Sequence, residues 1–357
     1  MRRRQFLTSS AAALAGVGLA GLTGCDPADR PEELVGPYRI ERSYRRWDGI
    51  AYPVWEPDAY GGPEVANGLS DIADLGAPSV TIIPTWYQAD TAASAVGRDP
   101  EQTPTDESVR AAIRTARALG LEVMLKPHVD LPGDQDRADI APTDPDAWFA
   151  AYTDMVVGYA ELAEREDVGL FCVGTELAGT VADPRWRAVV AAVRSAYRGE
   201  LTYAANFDSY RAVPFWGDLD VIGIDAYFEL ATTPTDDVTA LVAAWRPFVD
   251  DMTTFAAEAG ADLMFTEAGY VSQVGTTTQP WNWLLGPGGD RPAERSDREQ
   301  AAAYVALTQV AAEMPSLRGV QWWMWDDLAD SGEPQGTDYT PHGKGAERVL
   351  RIAWRDR

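Results

Sequence analysis

Hydrophobic positions in this chain gather in short runs of strand length, separated by longer stretches in which apolar residues recur at helical spacing. The runs are 49–55, 79–88, 122–130, 170–177, 201–206, 221–227, 263–270 and 319–327. Helical spacing marks 64–75, 106–119, a segment opening at Asp144-Pro145, another from Asp183-Pro184 to Gly199, then 236–259, Ser296 to about Glu313, and 346–354. The punctuation agrees with these limits. Asp-Pro pairs place a capping side chain before a proline at the first helical position. Ser296-x-x-Glu299 has the form of a capping box, and Pro247 predicts a kink or break within 236–259. Eight strand-length runs alternating with helices predict an α/β chain folded as a single (β/α)8 TIM barrel. Two doubly wound domains would need a Gly-rich dinucleotide loop or a linker midway, and neither is present.

Two of the runs end in the same way. LFCVGTEL, Leu170 to Leu177, stops at Glu176, and LMFTEAGY, Leu263 to Tyr270, stops at Glu267. In a barrel of this kind the active site lies at the C-terminal ends of the strands, so the fourth and seventh strands deliver both glutamates to one mouth. A pair of carboxylates so placed suits glycoside hydrolysis, one as proton donor and one as nucleophile or base. Side-chain alternation adds Trp86, Lys126, His128, Asn206, Asp225 and Tyr227 to that mouth, with a tryptophan among Trp322, Trp323 and Trp325. Lys126 and His128 are read either as substrate contacts or as a structural polar pair at the rim. The set has no His-carboxylate triple spaced like a metal site, so neither metal nor cofactor is expected. Sugar rings need flat faces and hydrogen-bonding partners, which this group supplies; Trp281 and Trp283 add aromatic surface in the predicted loop 275–295.

Formal net charge is -25 with a pI near 4.4, which makes nucleic acid and anionic membrane surfaces poor partners, and none of either is expected. Lysine occurs only at 126 and 344, so a lysine inside a predicted strand stands out. Residues 1–24 read as a targeting segment: Arg2, Arg3 and Arg4 precede an uncharged run like a twin-arginine signal. Leu22-Thr23-Gly24-Cys25 resembles a lipobox. The expected organisation is therefore a signal peptide over 1–24, a lipidated Cys25 with a tether over 25–46, and the barrel over 47–357. The expected location is exported and held to the membrane only by the lipid on Cys25. Cys172, the other cysteine, is read as a small buried residue.

Taken together, FCVGTEL, LTYAANFD, FWGDLDVIGIDAYF, FTEAGY and GVQWWMWD resemble glycoside hydrolase family 113, within clan A of the retaining glycosidases, over roughly residues 45–350. The resemblance implies that Glu176 is the general acid/base, that Glu267 is the nucleophile held by Tyr227, and that β-1,4-mannosidic bonds in mannan or manno-oligosaccharides are cleaved by double displacement. The expected binding partner is accordingly a β-linked oligo- or polysaccharide. The family's clan usually has Asn before the acid/base, where it meets the sugar 2-hydroxyl; here Thr175 stands there, and either Thr175 or Asn206 takes that contact. Another β-glycosidase activity, β-glucanase or exo-β-mannosidase, and a non-catalytic sugar-binding lipoprotein are the alternatives.

Overall fold

A computed structural model of the chain describes residues 40–41, 45–133, 135–286, 292–326 and 336–354. Eight parallel strands close into a barrel in the order β1-β10-β9-β8-β7-β6-β4-β2. They are β1 (Gly49–Pro53), β2 (Ser79–Ile83), β4 (Glu122–Leu125), β6 (Leu170–Thr175), β7 (Glu200–Asn206), β8 (Val221–Asp225), β9 (Asp262–Ala268) and β10 (Leu317–Trp322). Seven α-helices are found among the described residues: α1 (Pro63–Leu75), α2 (Asp106–Ala118), α3 (Pro145–Arg165), α4 (Trp186–Ala196), α5 (Val238–Ala259), α6 (Asp297–Ala312) and α7 (Gly345–Ala353). The chain is thus a (β/α)8 barrel, and Glu176 and Glu267 lie at the C-terminal ends of the strands that the apolar runs marked.

Two predicted strands prove to be divided. Runs 79–88 and 122–130 each leave the barrel at a proline, Pro84 and Pro127, which has no N–H to give to the ladder. Beyond them β3 (Thr85–Tyr87) and β5 (His128–Asp130) pair as a two-stranded parallel sheet above the barrel. In contrast, α5 runs through Pro247 without a break. Asp144 caps α3 by accepting from Ala147 N at 3.1 Å. Asp183 instead accepts from Arg185 N at 2.9 Å in a turn, so α4 starts two residues past the expected proline, at Trp186.

The barrel interior changes character along its axis. At the N-terminal end it is apolar, with Trp47, Met124, Leu170, Val221 and Met264 packed together. On the β1, β2 and β10 side, Gln321 links Thr81, Ser79 and the Trp47 carbonyl by hydrogen bonds of 2.7–2.8 Å. Farther up, Lys126, Asp225 and Thr266 meet with no exposure to solvent. Buried polar groups are retained only when paired, so this upper layer is costly unless it serves the mouth above it. The larger apolar core fills the space between strands and helices, where Phe171, Val173, Ile222, Ile224 and Phe265 point.

Candidate active site

Regular alternation alone does not aim the two glutamates. On β9, Met264 and Thr266 face the interior and Phe265 faces the helices, so the next residue would also face outward. The ladder with β8 shifts between Ile224 and Asp225, leaving two residues of β9 opposite one of β8. This bulge turns Glu267 inward, a use of bulges typical beside active sites. A second shift, between Cys172 and Thr175, precedes Glu176 on β6. Glu176 itself has φ 55, a left-handed conformation strained for a residue with a side chain. Two hydrogen bonds with β7 hold it there: Glu176 N donates to Ala204 O at 2.8 Å and Leu177 N to the Tyr203 hydroxyl at 2.9 Å.

The two carboxylates sit in opposite environments. Glu267 is 4% exposed, and each oxygen accepts one strong hydrogen bond: Oε1 from Lys126 Nζ at 2.6 Å, Oε2 from the Tyr227 hydroxyl at 2.7 Å. Burial, followed by the charge of Glu267, pushes the Tyr227 phenol well above its usual range, so it stays protonated and donates. Lys126 also reaches Asp225 Oδ1 and Thr266 O, both at 3.4 Å. Burial pulls its pKa down, but Asp225 and Glu267 together outweigh that and keep the ammonium charged. Asp225 is pushed up to about 7, chiefly by burial and against the pull of Lys126.

Glu176, 13% exposed at its side chain, is pushed up to about 8 by burial first, then by the charges of Asp225 and Glu267. Its Oε1 accepts from Asn206 Nδ2 at 2.9 Å and its Oε2 from Arg137 Nη1 at 3.3 Å. Burial thus favours the protonated form of Glu176, while Glu267 is held between an ammonium and a phenol.

The remaining predicted residues divide. His128 stacks on Trp323 with ring centroids 6.1 Å apart, and its Nε2 lies 3.9 Å from Glu267 Oε1. Trp281 and Trp323 pack beside Tyr227 and Tyr339, and Trp281 Nε1 donates to Glu229 at 3.2 Å. Four of the residues considered for the mouth are drawn elsewhere. Trp325 is 1% exposed in the main core, stacked on His342, and Trp322 stacks on Tyr304. Trp86 gives its indole N–H to Tyr159 of α3 at 3.0 Å and carries Arg98 on its face. The Thr175 hydroxyl lies 3.9 Å from Cys172 Sγ, turned into the barrel. Burial raises the Cys172 thiol to about 11, which leaves it neutral and inert. Cys25 and the segment 1–39 lie outside the described residues.

Two buried polar residues that periodicity does not mark shape the rim. Ser296 caps α6 as the box predicts, accepting from Glu299 N at 3.2 Å. Glu299 does not reach back to the Ser296 amide, which donates to Ser272 O. Its carboxylate instead accepts from Gly275 N, Thr277 N and Thr277 Oγ1 at 2.8–3.1 Å. Gln273 fastens the same loop by donating to Trp283 O and Thr337 O, both at 2.7 Å. Glu299→Ala is expected to cost about 1–3 kcal/mol through the orphaned amides. By freeing the loop that carries Trp281, it is also expected to raise KM more than it lowers kcat. Denaturant melts beside initial-rate kinetics check both.

A family model for glycoside hydrolase family 113 matches residues 54–344. The chain belongs to glycoside hydrolase family 113. Among solved structures, it is similar to a family 113 β-1,4-mannanase at 24% identity and TM-score 0.78, over 88% of this chain and all of that one. It is similar also to the family 113 β-mannanase AaManA from Alicyclobacillus acidocaldarius, in complex with ManMIm, at 26% identity and TM-score 0.76, over 88% of this chain and 98% of that one. None of the curated proteins matches. Family 113 membership makes the chain a glycoside hydrolase, and Glu176 and Glu267 are a carboxyl pair at the mouth of its barrel.

Proposed function

We propose that this family 113 enzyme cleaves β-1,4-mannosidic bonds in mannan or manno-oligosaccharides with retention, Glu267 acting as nucleophile and Glu176 as acid/base. The observation that carries the reading is the asymmetry of the pair, Glu267 pinned by Lys126 and Tyr227 while Glu176 keeps its proton. In the first step Glu267 attacks the anomeric carbon, the glycosidic bond breaks, and Glu176 gives its proton to the leaving oxygen. In the second, water attacks the same carbon, Glu176 takes the water proton, and the ester to Glu267 breaks. Asn206 Oδ1 is buried with no hydrogen-bond partner among the described residues, while its Nδ2 is committed to Glu176. A buried carbonyl left so is costly, and a sugar hydroxyl donating to it removes the cost. Asn206 is therefore the residue assigned to the contact at the sugar 2-hydroxyl, and Trp281 and Trp323 are assigned to sugar faces. The preference for mannose is supported by the β-1,4-mannanases to which the chain is similar.

The test is a product profile on β-1,4-linked manno-, gluco- and xylo-oligosaccharides, beside a Glu176→Ala/Glu267→Ala double variant. Cleavage of the manno series alone, lost in the double variant, is expected. Cleavage of the gluco series instead would make the enzyme a β-glucanase, and binding without cleavage a sugar-binding protein. The enzyme is further proposed to be exported as a lipoprotein through its twin-arginine segment and Cys25. Cys25→Ala is then expected to move the protein out of the membrane fraction.

Proton linkage gives a further expectation. The folded-state pKa of Glu176, about 8, lies above its ordinary value of 4.5, so the folded protein binds more protons than the unfolded chain between those limits. That contribution to stability is complete below about 4.5 and is lost as pH rises through about 8. Glu176→Gln mimics the protonated acid, so its stability is expected to exceed the parent's by a margin that widens across this window. Paired thermal melts over the range measure it. Over the same range kcat/KM of the parent is expected to fall on the alkaline side as Glu176 loses its proton.

A further inference from the structure

Arg137 lies in a one-turn helix, Arg137–Asp139, that follows β5 and is capped by Asp136, whose side chain accepts from Ala138 N at 3.0 Å. Its guanidinium, 10% exposed, is shared three ways: Nη2 pairs with Asp130, while Nη1 lies 3.3 Å from both Glu176 Oε2 and His128 Nδ1. Arginine can only donate, so His128 Nδ1 accepts and the ring carries its proton on Nε2, the nitrogen facing Glu267. One side chain thus touches Glu176 directly and also the imidazole whose Nε2 stands 3.9 Å from Glu267 Oε1.

A second observation shows how closely this segment is held. Gly179, three residues past Glu176, donates its N–H to Ala138 O at 2.8 Å. A Cβ at position 179 would stand 2.4 Å from Ile140 O and 3.0 Å from Ala138 O. Both are backbone atoms, so any larger residue at 179 has to push the 137–140 turn away from the end of β6. The approach of Arg137 to Glu176 therefore depends on glycine at that position.

We propose that Arg137 is a positioning residue that stabilises Glu176 as a carboxylate between the two half-reactions, and that Gly179 sets the distance at which it does so. The proposal rests on Glu176 being the acid/base. Glu176 loses a proton to the leaving oxygen and regains one from water, so once per turnover it is an anion in a mostly buried site. The groups that face it are Asp225 from β8, Glu267 from β9, Asp136 and Arg137 from the turn after β5, and the neutral phenols of Tyr203 and Tyr339. Arg137 is the one cation in that set. Without it the carboxylate would form among like charges, and the enzyme would have a proton donor that is slow to become a base.

The test reads Glu176 itself. Carboxyl-labelled [13C]glutamate protein is titrated by NMR, the Glu176 resonance being the one missing from Glu176→Gln. Arg137→Gln is expected to raise its midpoint by about one unit or more. Gly179→Ala is expected to raise it by less, Arg137→Lys to lie between parent and Arg137→Gln, and Arg185→Gln, an equal change in net charge at a distant ion pair, to leave it in place. If Arg137→Gln does not fold, Gly179→Ala and Arg137→Lys carry the test. A midpoint unmoved in all three site variants overturns the proposal. No turnover is needed for this measurement, so a protein inactive on every glycoside overturns the functional reading alone. In an active enzyme, Arg137→Gln is further expected to show a burst with an activated aryl glycoside, kcat and KM falling together as deglycosylation slows. A purely structural loss would give neither the shifted midpoint nor the burst.

Discussion

Glu267→Gln is expected to lose hydrolytic activity by on the order of 10⁴-fold or more, with a thermal midpoint no lower than the parent's. The two halves of this expectation come from the same contacts. Without a carboxylate at 267 no ester to the sugar can form, and the amide cannot replace it as a nucleophile. Yet the substitution also removes a negative charge that faces Asp225 and Glu176, both already pushed up by burial. Lys126 keeps Asp225 as a partner, so no uncompensated charge is left behind. Steady-state rates on a manno-oligosaccharide and a thermal melt of the same preparation check both parts. A variant that is inactive because it is unfolded would count against this account of the interior.

Lys126→Met is expected to have the largest effect on stability, about 3–5 kcal/mol, together with a severe loss of activity. The ammonium is fully buried and stands between Glu267 Oε1 at 2.6 Å and Asp225 Oδ1 at 3.4 Å. Methionine fills most of the volume but leaves two carboxylates facing each other in a site closed to water. They can avoid that only by taking up protons, so the deficit is expected to shrink as pH is lowered. Their folded-state pKa values in the variant lie above those of the unfolded chain, and stability is then regained on acidification. Urea titrations of parent and variant at several pH values measure the effect; a deficit that grows towards acid would contradict the pairing. The same contacts recast Lys126, one of two lysines in the chain, as a buried partner of Glu267.

How far the sequence could lead is seen by following single residues. The apolar runs marked all eight barrel strands, because a strand buried on both faces must be apolar along its length. They also placed Glu176 and Glu267 at the strand ends. Alternation found Lys126, Asp225 and Tyr227, which lie at or just past the ends of β4 and β8. It gave no reason for Glu267 itself to face inward, since that depends on a bulge whose only trace in the sequence is an ordinary Thr266. Arg137 was illegible for a different reason. It comes from a short turn in an acidic, Pro-rich loop with no periodicity, and is brought to Glu176 by the contact of its neighbour Ala138 with Gly179, distant in the chain. Glu299 carried a correct signal for a helix start and a misleading one for its own side chain. Its local partner was taken by Ser272, and the amides of the 275–277 turn offered more hydrogen bonds. The tryptophans of β10 and the residues after it show the limit of alternation beyond a strand's end: only Trp323 reaches His128, while Trp322 and Trp325 complete the core.

The central claim is that Glu267 is the residue that bonds to the sugar while Glu176 handles the proton. Trapping tests it most directly. Glu176→Ala is mixed with a dinitrophenyl β-mannobioside, whose leaving group needs no acid, and the intact protein is weighed and then mapped by peptide mass. Glycosylation still proceeds but deglycosylation lacks its base, so the account predicts one mannobiosyl group per chain, on the peptide containing Glu267, released when azide is added. Steady release of dinitrophenol with no adduct, or an adduct on any other residue, would contradict it.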